Sequence, residues 1–152
     1  MKIIDLENFQ TKNTKTQEVN GRFIPIYKDY QKIYNILPEF IYMSACNIGE
    51  VKGPHLHKER CAYFTCVKGD VVFITKEDNV YCEAIVSAIE APKTIYVPPN
   101  IPCAHINIGI EEAIIINICA PAWKPDCQDN FNVEFEDYNW KKWVGYMKSK
   151  KK

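Results

Sequence analysis

Two of the three histidines in this 152-residue chain, His55 and His57, lie two residues apart in the segment Gly53-Pro54-His55-Leu56-His57-Lys58. The surrounding pattern is typical of a β-strand, in which residues i and i+2 point to the same face. We therefore expect both imidazoles to project together into the interior of a small sheet or barrel. Because imidazole titrates near neutral pH and also binds metals, such a pair can move protons or hold a metal ion.

Short strand-like segments separated by turn residues recur along the chain and must position this pair. The predicted strands are Arg22–Tyr27, Glu39–Ala45, Ala62–Lys68, Val71–Lys76, Val80–Val86, Lys93–Val97 and Ala113–Ile118, and the predicted turns are at 68–70, 77–79, 98–100 and 109–111. Many short strands at this spacing predict a β-sandwich or barrel. Residues 1–20 read as irregular after a short apolar start, with a loop from 12 to 20.

The C-terminal part of the chain has a different pattern. Spaced apolar residues predict a helix over residues 138–151 that packs on the sheet, with Tyr138, Trp140 and Trp143 on its apolar face. Trp123 is also expected to serve packing or an interface. We treat residues 1–152 as a single domain with a core over about 22–137, because the length suits one domain.

Bulk composition excludes several function classes. Nineteen basic and nineteen acidic residues give a formal net charge of zero, whereas nucleic-acid-binding domains are usually basic. No apolar stretch approaches the roughly 18 residues that span a bilayer, and the N-terminus lacks the apolar run of a signal peptide. The seven cysteines form no CxxC pair and read as reduced thiols. We expect a cytoplasmic protein with neither a nucleic-acid nor a membrane partner.

The histidine pair lies within a spacing that resembles the two motifs of the cupins. The first motif corresponds to Gly49, His55, His57, Ala62 and Gly69, and the second to Pro92, Pro98, Asn100, Cys103 and Asn107. Where this chain has Ala62, Asn100 and Cys103, the cupin pattern has Glu, Gly and His. The resemblance implies a mainly β fold, the cupin jelly roll or double-stranded β-helix, which here carries a short C-terminal helix.

A narrower resemblance is to enzymes that act on nucleotide sugars. The segment 53–58, followed by Cys66 and Gly69, is similar to the active-site segment of the dTDP-4-keto-6-deoxyglucose 3,4-ketoisomerases. Tyr42 occupies a place comparable to a tyrosine of that family, and Lys52 stands where the family has Arg. The stretch from Trp123 to Trp140 looks more like the dTDP-4-dehydrorhamnose 3,5-epimerases, whose histidine-aspartate pair we do not locate in the sequence. The resemblance implies a homodimer and a dTDP-linked nucleotide-sugar substrate.

Moving a carbonyl from C4 to C3 of a 4-keto sugar needs proton transfer through an enediol and no cofactor or metal. We expect His57 to take the C3 proton and His55 to deliver one to C4, although the reverse assignment fits equally well. Tyr42 would hydrogen-bond the oxygen that becomes negative. The predicted substrate-binding residues are Lys52 and Lys58 for the diphosphate, Tyr63 for the nucleobase, and His105 and Asn107 near the sugar. A structural role fits His105 as well as a site role.

Three alternatives remain open at this stage. The first is a 3,5-epimerase-type enzyme on the same class of substrate. The second is a non-catalytic cupin that binds a sugar or nucleotide sugar. The third is a metal-dependent cupin enzyme, in which His55, His57 and Cys103 form a zinc site, although Ala62 supplies no ligand.

Overall fold

The computed structural model describes residues 1–28, 36–143 and 146, and in these ranges the regular secondary structure is almost entirely β. The strands are β1 Lys2–Asp5, β2 Phe9–Lys12, β3 Val19–Phe23, β4 Phe40–Cys46, β5 Val51–Leu56, β6 Cys61–Lys68, β7 Asp70–Glu77, β8 Val80–Ser87, β9 Lys93–Val97, β10 Cys103–Asn107, β11 Ala113–Ala120 and β12 Phe131–Asn132. The prediction of a mainly β fold is confirmed.

Two five-stranded antiparallel sheets form the body of the molecule. Sheet I has the strand order β1-β9-β6-β11-β4, and sheet II has the order β12-β5-β10-β7-β8. Consecutive strands often lie in different sheets, as in a jelly roll. A separate hairpin is formed by β2 and β3. The predicted turn at 68–70 joins β6 to β7, and the one at 77–79 joins β7 to β8.

Side chains that alternate in direction along the strands fill two apolar layers. In β7, Val71 and Phe73 face the core between the two sheets, whereas Val72 and Ile74 belong to a second cluster. That second cluster contains Phe135, Tyr138 and Trp143 from the C-terminal segment. The strand therefore reads as a continuous apolar run, because both of its faces are covered.

The C-terminal segment packs on sheet II as predicted, but its helix begins later. Helical residues start at 141, and Tyr138 lies before them. The Tyr138 N–H closes a turn onto the Phe135 carbonyl, and the Tyr138 hydroxyl accepts a hydrogen bond from Trp143 Nε1 at 2.8 Å. The predicted helix residues 144–145 and 147–151 lie outside the described residues. No helix among the described residues has the length and hydropathy to cross a membrane.

The N-terminal prediction was wrong in two respects. Residues 1–20 contain strands rather than irregular chain: β1 pairs with β9, and the expected loop from 12 to 20 is the tip of the β2–β3 hairpin. The predicted strand Arg22–Tyr27 ends at Phe23, because the hairpin register places only its first residues opposite β2. These strands are mostly exposed, so they lack the alternation of apolar residues that marks a buried face.

Gly53 permits the close approach of β5 to β10 that brings the histidine pair to its neighbours. Its φ is +86°, and a Cβ added at this position would lie 2.7 Å from the Cys103 carbonyl oxygen. Only glycine adopts this backbone conformation at little cost, and only glycine fits this gap. The glycine before the histidine pair is therefore required by the register between β5 and β10.

We expect the Gly53→Ala variant to lose about 2 kcal/mol of unfolding free energy, because a methyl group adds both backbone strain and a clash with main chain. Urea unfolding followed by circular dichroism measures the change. Thr14→Ala, in the exposed tip of the β2–β3 hairpin, is the control and should change stability by less than about 0.5 kcal/mol. Equal stability of the two variants would contradict the close-approach argument.

Candidate functional site

A cavity of about 270 Å³ opens between the two sheets and collects most of the candidate residues. Its lining residues are Tyr42, Ser44, Lys52, His55, His57, Arg60, Ala62, Phe64, Val97, Pro98, Ile101, Cys103, His105, Trp123 and Asn130. Strands β4, β6 and β10 each contribute alternate residues, and β5 contributes Lys52 and His55, so both sheets form its wall. The prediction that His55 and His57 project into one interior space is confirmed.

His57 is held by a backbone carbonyl. Its ring Nδ1 hydrogen-bonds the Asp129 carbonyl oxygen, which is an acceptor only, so Nδ1 carries the proton and Nε2 keeps its lone pair. Burial lowers the pKa of His57 below its usual range, and the nearby positive charge of Arg60 lowers it further. The imidazole is therefore neutral at neutral pH and equipped to accept a proton through Nε2.

The carboxylate of Asp129 fixes the loop that carries His57. It accepts hydrogen bonds from the backbone N–H groups of Lys58 at 2.7 Å and Arg60 at 2.9 Å, and longer ones from Glu59. These hydrogen bonds keep the pKa of Asp129 below its usual range, although burial opposes them. One residue thus binds both the loop backbone and the histidine ring, about 70 positions away in sequence.

His55 is oriented by the neighbouring strand. Asn132 in β12 lies opposite His55 in β5, and its Oδ1 lies 3.1 Å from His55 Nδ1. Since the amide oxygen is an acceptor, the bond places a proton on Nδ1 and leaves Nε2 for the cavity. Both imidazoles are therefore held through Nδ1 by residues 129–132, and sequence reasoning assigned no role to this segment.

Tyr42 lines the same cavity as a hydrogen-bond donor. It lies opposite Asn117 in the β4–β11 register, and Asn117 Nδ2 donates to its hydroxyl oxygen at 2.7 Å. Burial raises the pKa of Tyr42 above its usual range, so the hydroxyl keeps its proton at neutral pH. Because Asn117 supplies a donor to the phenolic oxygen, the phenolic proton remains available to a ligand.

His105 and Cys103 form the deepest part of the wall. His105 is 8% exposed, its Nε2 has no hydrogen-bond partner, and burial lowers its pKa to about 4. Burial raises the pKa of the Cys103 thiol to about 12. Both side chains are therefore uncharged at neutral pH. Among the described residues, no three His, Cys, Asp or Glu side chains come together in a group that suits a metal ion.

Three predicted substrate-binding residues lie away from the cavity. Tyr63 is 1% exposed and packs on Tyr96, because alternation along β6 turns it away from the face of Ala62 and Phe64. Asn107 is fully buried and holds the chain around 109–111 through hydrogen bonds with Cys46, Gly109 and Glu111. The Lys58 ammonium lies over the Phe131 ring, 4.6 Å from its centroid. None of these three residues is among those that line the cavity.

Trp123 and Arg60 are among the lining residues that sequence analysis did not assign to the site. Trp123, expected to serve packing or an interface, is 53% exposed and lines the cavity. Arg60 is 7% exposed and also lines it. The alternation Arg60, Ala62, Phe64 was the available signal, since residues of the same parity before and within a strand share a face. Lys52, by contrast, lines the cavity as the sequence predicted.

His105 should make stability depend on pH. Its folded-state pKa of about 4 lies below the ordinary histidine pKa of 6.5, so the unfolded chain binds the proton first and stability falls as pH drops between these values. We expect His105→Leu to flatten this dependence by on the order of 3 kcal/mol, measured by urea unfolding at several pH values. The contribution of His57 to the pH dependence of stability is the same in wild type and in His105→Leu, so it cancels when the two proteins are compared. Parallel pH curves would contradict the burial of a neutral His105.

Comparison with known proteins gives one family match. A family model described as "FdtA: WxcM-like, C-terminal" matches residues 1–140 of this chain. No curated protein sequence matches this chain. The family match includes every strand, both histidines of the pair and the segment 129–132 that orients them.

Solved structures share the fold at low identity. The dTDP sugar isomerase of Desulfovibrio desulfuricans G20 has a TM-score of 0.76 and 10% identity, covering 92% of this chain and 90% of that chain. The dTDP-4-dehydrorhamnose 3,5-epimerase of Elizabethkingia anophelis NUHP1 has a TM-score of 0.68 and 18% identity, covering 91% and 80%. The capsular polysaccharide assembling protein CapF of Staphylococcus aureus has a TM-score of 0.60 and 20% identity, covering 64% of this chain. Only 29% of CapF is matched, so this chain spans less than a third of that relative.

Proposed function

The chain belongs to the FdtA WxcM-like C-terminal family, and from this premise we propose that it isomerises a nucleotide-linked 4-keto-6-deoxy sugar by moving the carbonyl from C4 to C3. The observation that carries the proposal is the pair of imidazoles held through Nδ1 in one cavity, beside a protonated Tyr42. Family membership and the fold of the structural neighbours support the broader class of dTDP-sugar isomerases and epimerases.

The proposed reaction transfers protons and leaves the molecular formula of the sugar unchanged. His57 Nε2 takes the proton from C3, and the electron pair moves onto the C4 oxygen, where Tyr42 donates a hydrogen bond. His55 takes a proton from solvent at Nε2 and delivers it to C4, while His57 returns the C3 proton to solvent. The O3 hydroxyl proton passes to O4 as the C3 carbonyl forms, so the proton count of the sugar is unchanged. The chemistry requires no change of oxidation state overall and therefore no redox cofactor.

The exchange of roles between the two imidazoles remains compatible with this geometry, but one feature favours His57 as the base. Its pKa is lowered by burial and by Arg60, so it is unprotonated when the substrate arrives. A base must begin without the proton that it is to remove. Lys52 supplies a positive charge at the cavity for the diphosphate, as the sequence suggested.

An epimerase is the second candidate, because one observation favours it. The sequence did not reveal a histidine-aspartate pair, yet Asp129 Oδ2 lies 3.9 Å from His57 Nδ1. The Asp129 carboxylate, however, is engaged by backbone N–H groups, and its carbonyl oxygen binds the ring instead. An epimerase would use the same base on C3 or C5 and leave the carbonyl at C4.

Proton NMR of the wild-type protein with dTDP-4-keto-6-deoxyglucose in deuterated water tests the proposal. We expect the carbonyl to move to C3 and solvent deuterium to enter at C4. His57→Asn should slow this by at least about 100-fold, the usual contribution of a general base. Deuterium at C3 or C5 with the carbonyl still at C4 would mean an epimerase. Binding without exchange would support the non-catalytic cupin and contradict the proposal.

Two lysine variants, one at the cavity and one far from it, test the proposed binding of the diphosphate. We expect Lys52→Ala to raise KM about tenfold, because it removes a positive charge that faces the diphosphate, with little effect on kcat. Lys12→Ala, which removes a lysine from the distant β2–β3 hairpin, should leave both constants unchanged. An unchanged KM in Lys52→Ala would contradict the assigned role of Lys52.

We also propose that the protein is a cytoplasmic homodimer that uses the outer face of sheet I. Strand β4 is an edge strand, and its outward side chains Ile41 and Met43 are 59% and 67% exposed. In the β4–β11 register they lie opposite Ile118 and Ile116, of which Ile116 is partly exposed and extends the apolar surface while Ile118 is buried. A second copy of the chain would cover both this face and the open strand edge. The seven cysteines are free thiols, which suits a reducing compartment.

Sedimentation equilibrium tests the dimer. Met43→Glu should raise the dimer dissociation constant at least about tenfold, because it places a charge in an apolar interface. Val80→Glu is the matched control: Val80 is a similarly exposed apolar residue, 61% exposed, but on β8 of sheet II. A monomeric wild type, or equal dissociation of the two variants, would contradict this interface.

A further inference from the structure

Arg60 is a buried cation whose guanidinium has no partner among the described residues. It is 7% exposed, it lines the cavity, and its Nε has no hydrogen-bond acceptor. Its only recorded contact with Asp129 is through the backbone N–H, since the carboxylate binds the main chain of the loop. No ion pair found in the described part of the chain includes its guanidinium.

A buried charge without a partner is costly, and proteins usually neutralise it or use it. Two residues further on, at the start of β6, Ala62 also lines the cavity where the cupin pattern has a glutamate. Ala62 supplies no carboxylate that could pair with the guanidinium. The small side chain instead leaves the positive charge directed at the cavity contents.

We propose that the Arg60 guanidinium binds the reacting C4 oxygen of the sugar, first as the ketone and then as the oxyanion of the enediolate. This inference rests on the proposed function, because it needs a keto sugar between the two histidines and Tyr42. A fixed cation in a water-poor cavity stabilises a developing oxyanion more than it stabilises the neutral ketone. Arg60 therefore acts on the transition state, as a catalytic residue beside Tyr42.

The position of Arg60 relative to its neighbours supports this assignment. Its charge adds to the lowering of the His57 pKa that burial causes and opposes the rise that burial causes at Tyr42, and all three side chains line the same cavity. The diphosphate is the other anionic group of such a substrate. Lys52 is more exposed than Arg60 and suits that solvent-accessible group, whereas Arg60 is buried beside the reacting groups.

Kinetics of two variants test the proposal. We expect Arg60→Met to lower kcat by about 10²–10³-fold with KM changed less than about threefold, and Arg60→Lys to recover part of the loss because it retains the charge. The acid limb of the kcat/KM pH profile should move to higher pH in Arg60→Met, since the loss of a positive charge raises the pKa of His57. A raised KM with unchanged kcat would overturn the proposal and assign Arg60 to the diphosphate.

A binding measurement separates this inference from the proposed reaction. The chain has only two arginines, so protein labelled with ¹⁵N-arginine gives two Nε–H signals, and the Arg60 signal is the one absent from Arg60→Lys. Arg22, whose guanidinium donates to the Ile89 carbonyl, is the internal reference. The Arg60 signal should shift with dTDP-4-keto-6-deoxyglucose and stay in place with dTDP alone. A shift with dTDP alone would overturn the proposal, and so would the absence of a shift with both compounds.

The two failures are distinguishable. If wild-type protein leaves the carbonyl at C4 but the Arg60 signal shifts only with the keto sugar, the ketoisomerase proposal fails and recognition of the C4 oxygen stands. If the carbonyl moves to C3 while Arg60→Met retains kcat, the ketoisomerase stands and the role of Arg60 fails. Unfolding midpoints of both variants, compared with wild type, verify that the fold is intact.

Discussion

The site depends on the contact between the segment 129–132 and the end of β5. β12 is only two residues long, yet it brings Asn132 opposite His55 and leaves Asp129 beside His57. The Asp129 carboxylate accepts hydrogen bonds from N–H groups of the loop that follows β5, and each such charge-assisted hydrogen bond is stronger than a neutral one. Without this contact the two rings would share a face but would have no fixed orientation.

This contact determines which nitrogen of each ring does chemistry. Because both rings donate through Nδ1 to oxygen atoms, both present Nε2 to the same space. Each side chain in the wall is then neutral or positive: the histidine His57 and the phenol Tyr42 are uncharged, and Lys52 and Arg60 are cations. Among the described residues that line the cavity, none carries a carboxylate. A cavity of this kind favours a ligand that develops negative charge, as an enediolate does.

The sequence was informative where local spacing alone decides the structure. The i, i+2 spacing of His55 and His57 predicted their common face, and the turn residues at 68–70 and 77–79 predicted the boundaries between β6, β7 and β8. Gly53 shows why a resemblance in spacing carries structural information, because its positive φ and the nearby Cys103 carbonyl exclude any side chain.

Some failures of prediction arise from long-range contacts, and others from the alternation of residues along a strand, which was not applied to every residue. Nothing in the local sequence around Asp129 indicates that it binds a loop about 70 residues earlier. The exposed hairpin strands have no buried face to produce alternation. Tyr63 was assigned from its residue type, although its parity with Ala62 and Phe64 already placed it on the opposite face of β6. Arg60 was overlooked for the same reason, since parity placed it with them.

The tautomer of His57 is the most direct test of this account. A long-range ¹H–¹⁵N NMR experiment on ¹⁵N-histidine-labelled protein resolves three imidazoles, and His57→Asn assigns the one in question. We expect a neutral ring at pH 7 with its proton on Nδ1, held by the Asp129 carbonyl, and a free Nε2. A ring with its proton on Nε2, or a doubly protonated imidazolium at this pH, would contradict the arrangement on which the proposed proton transfer depends.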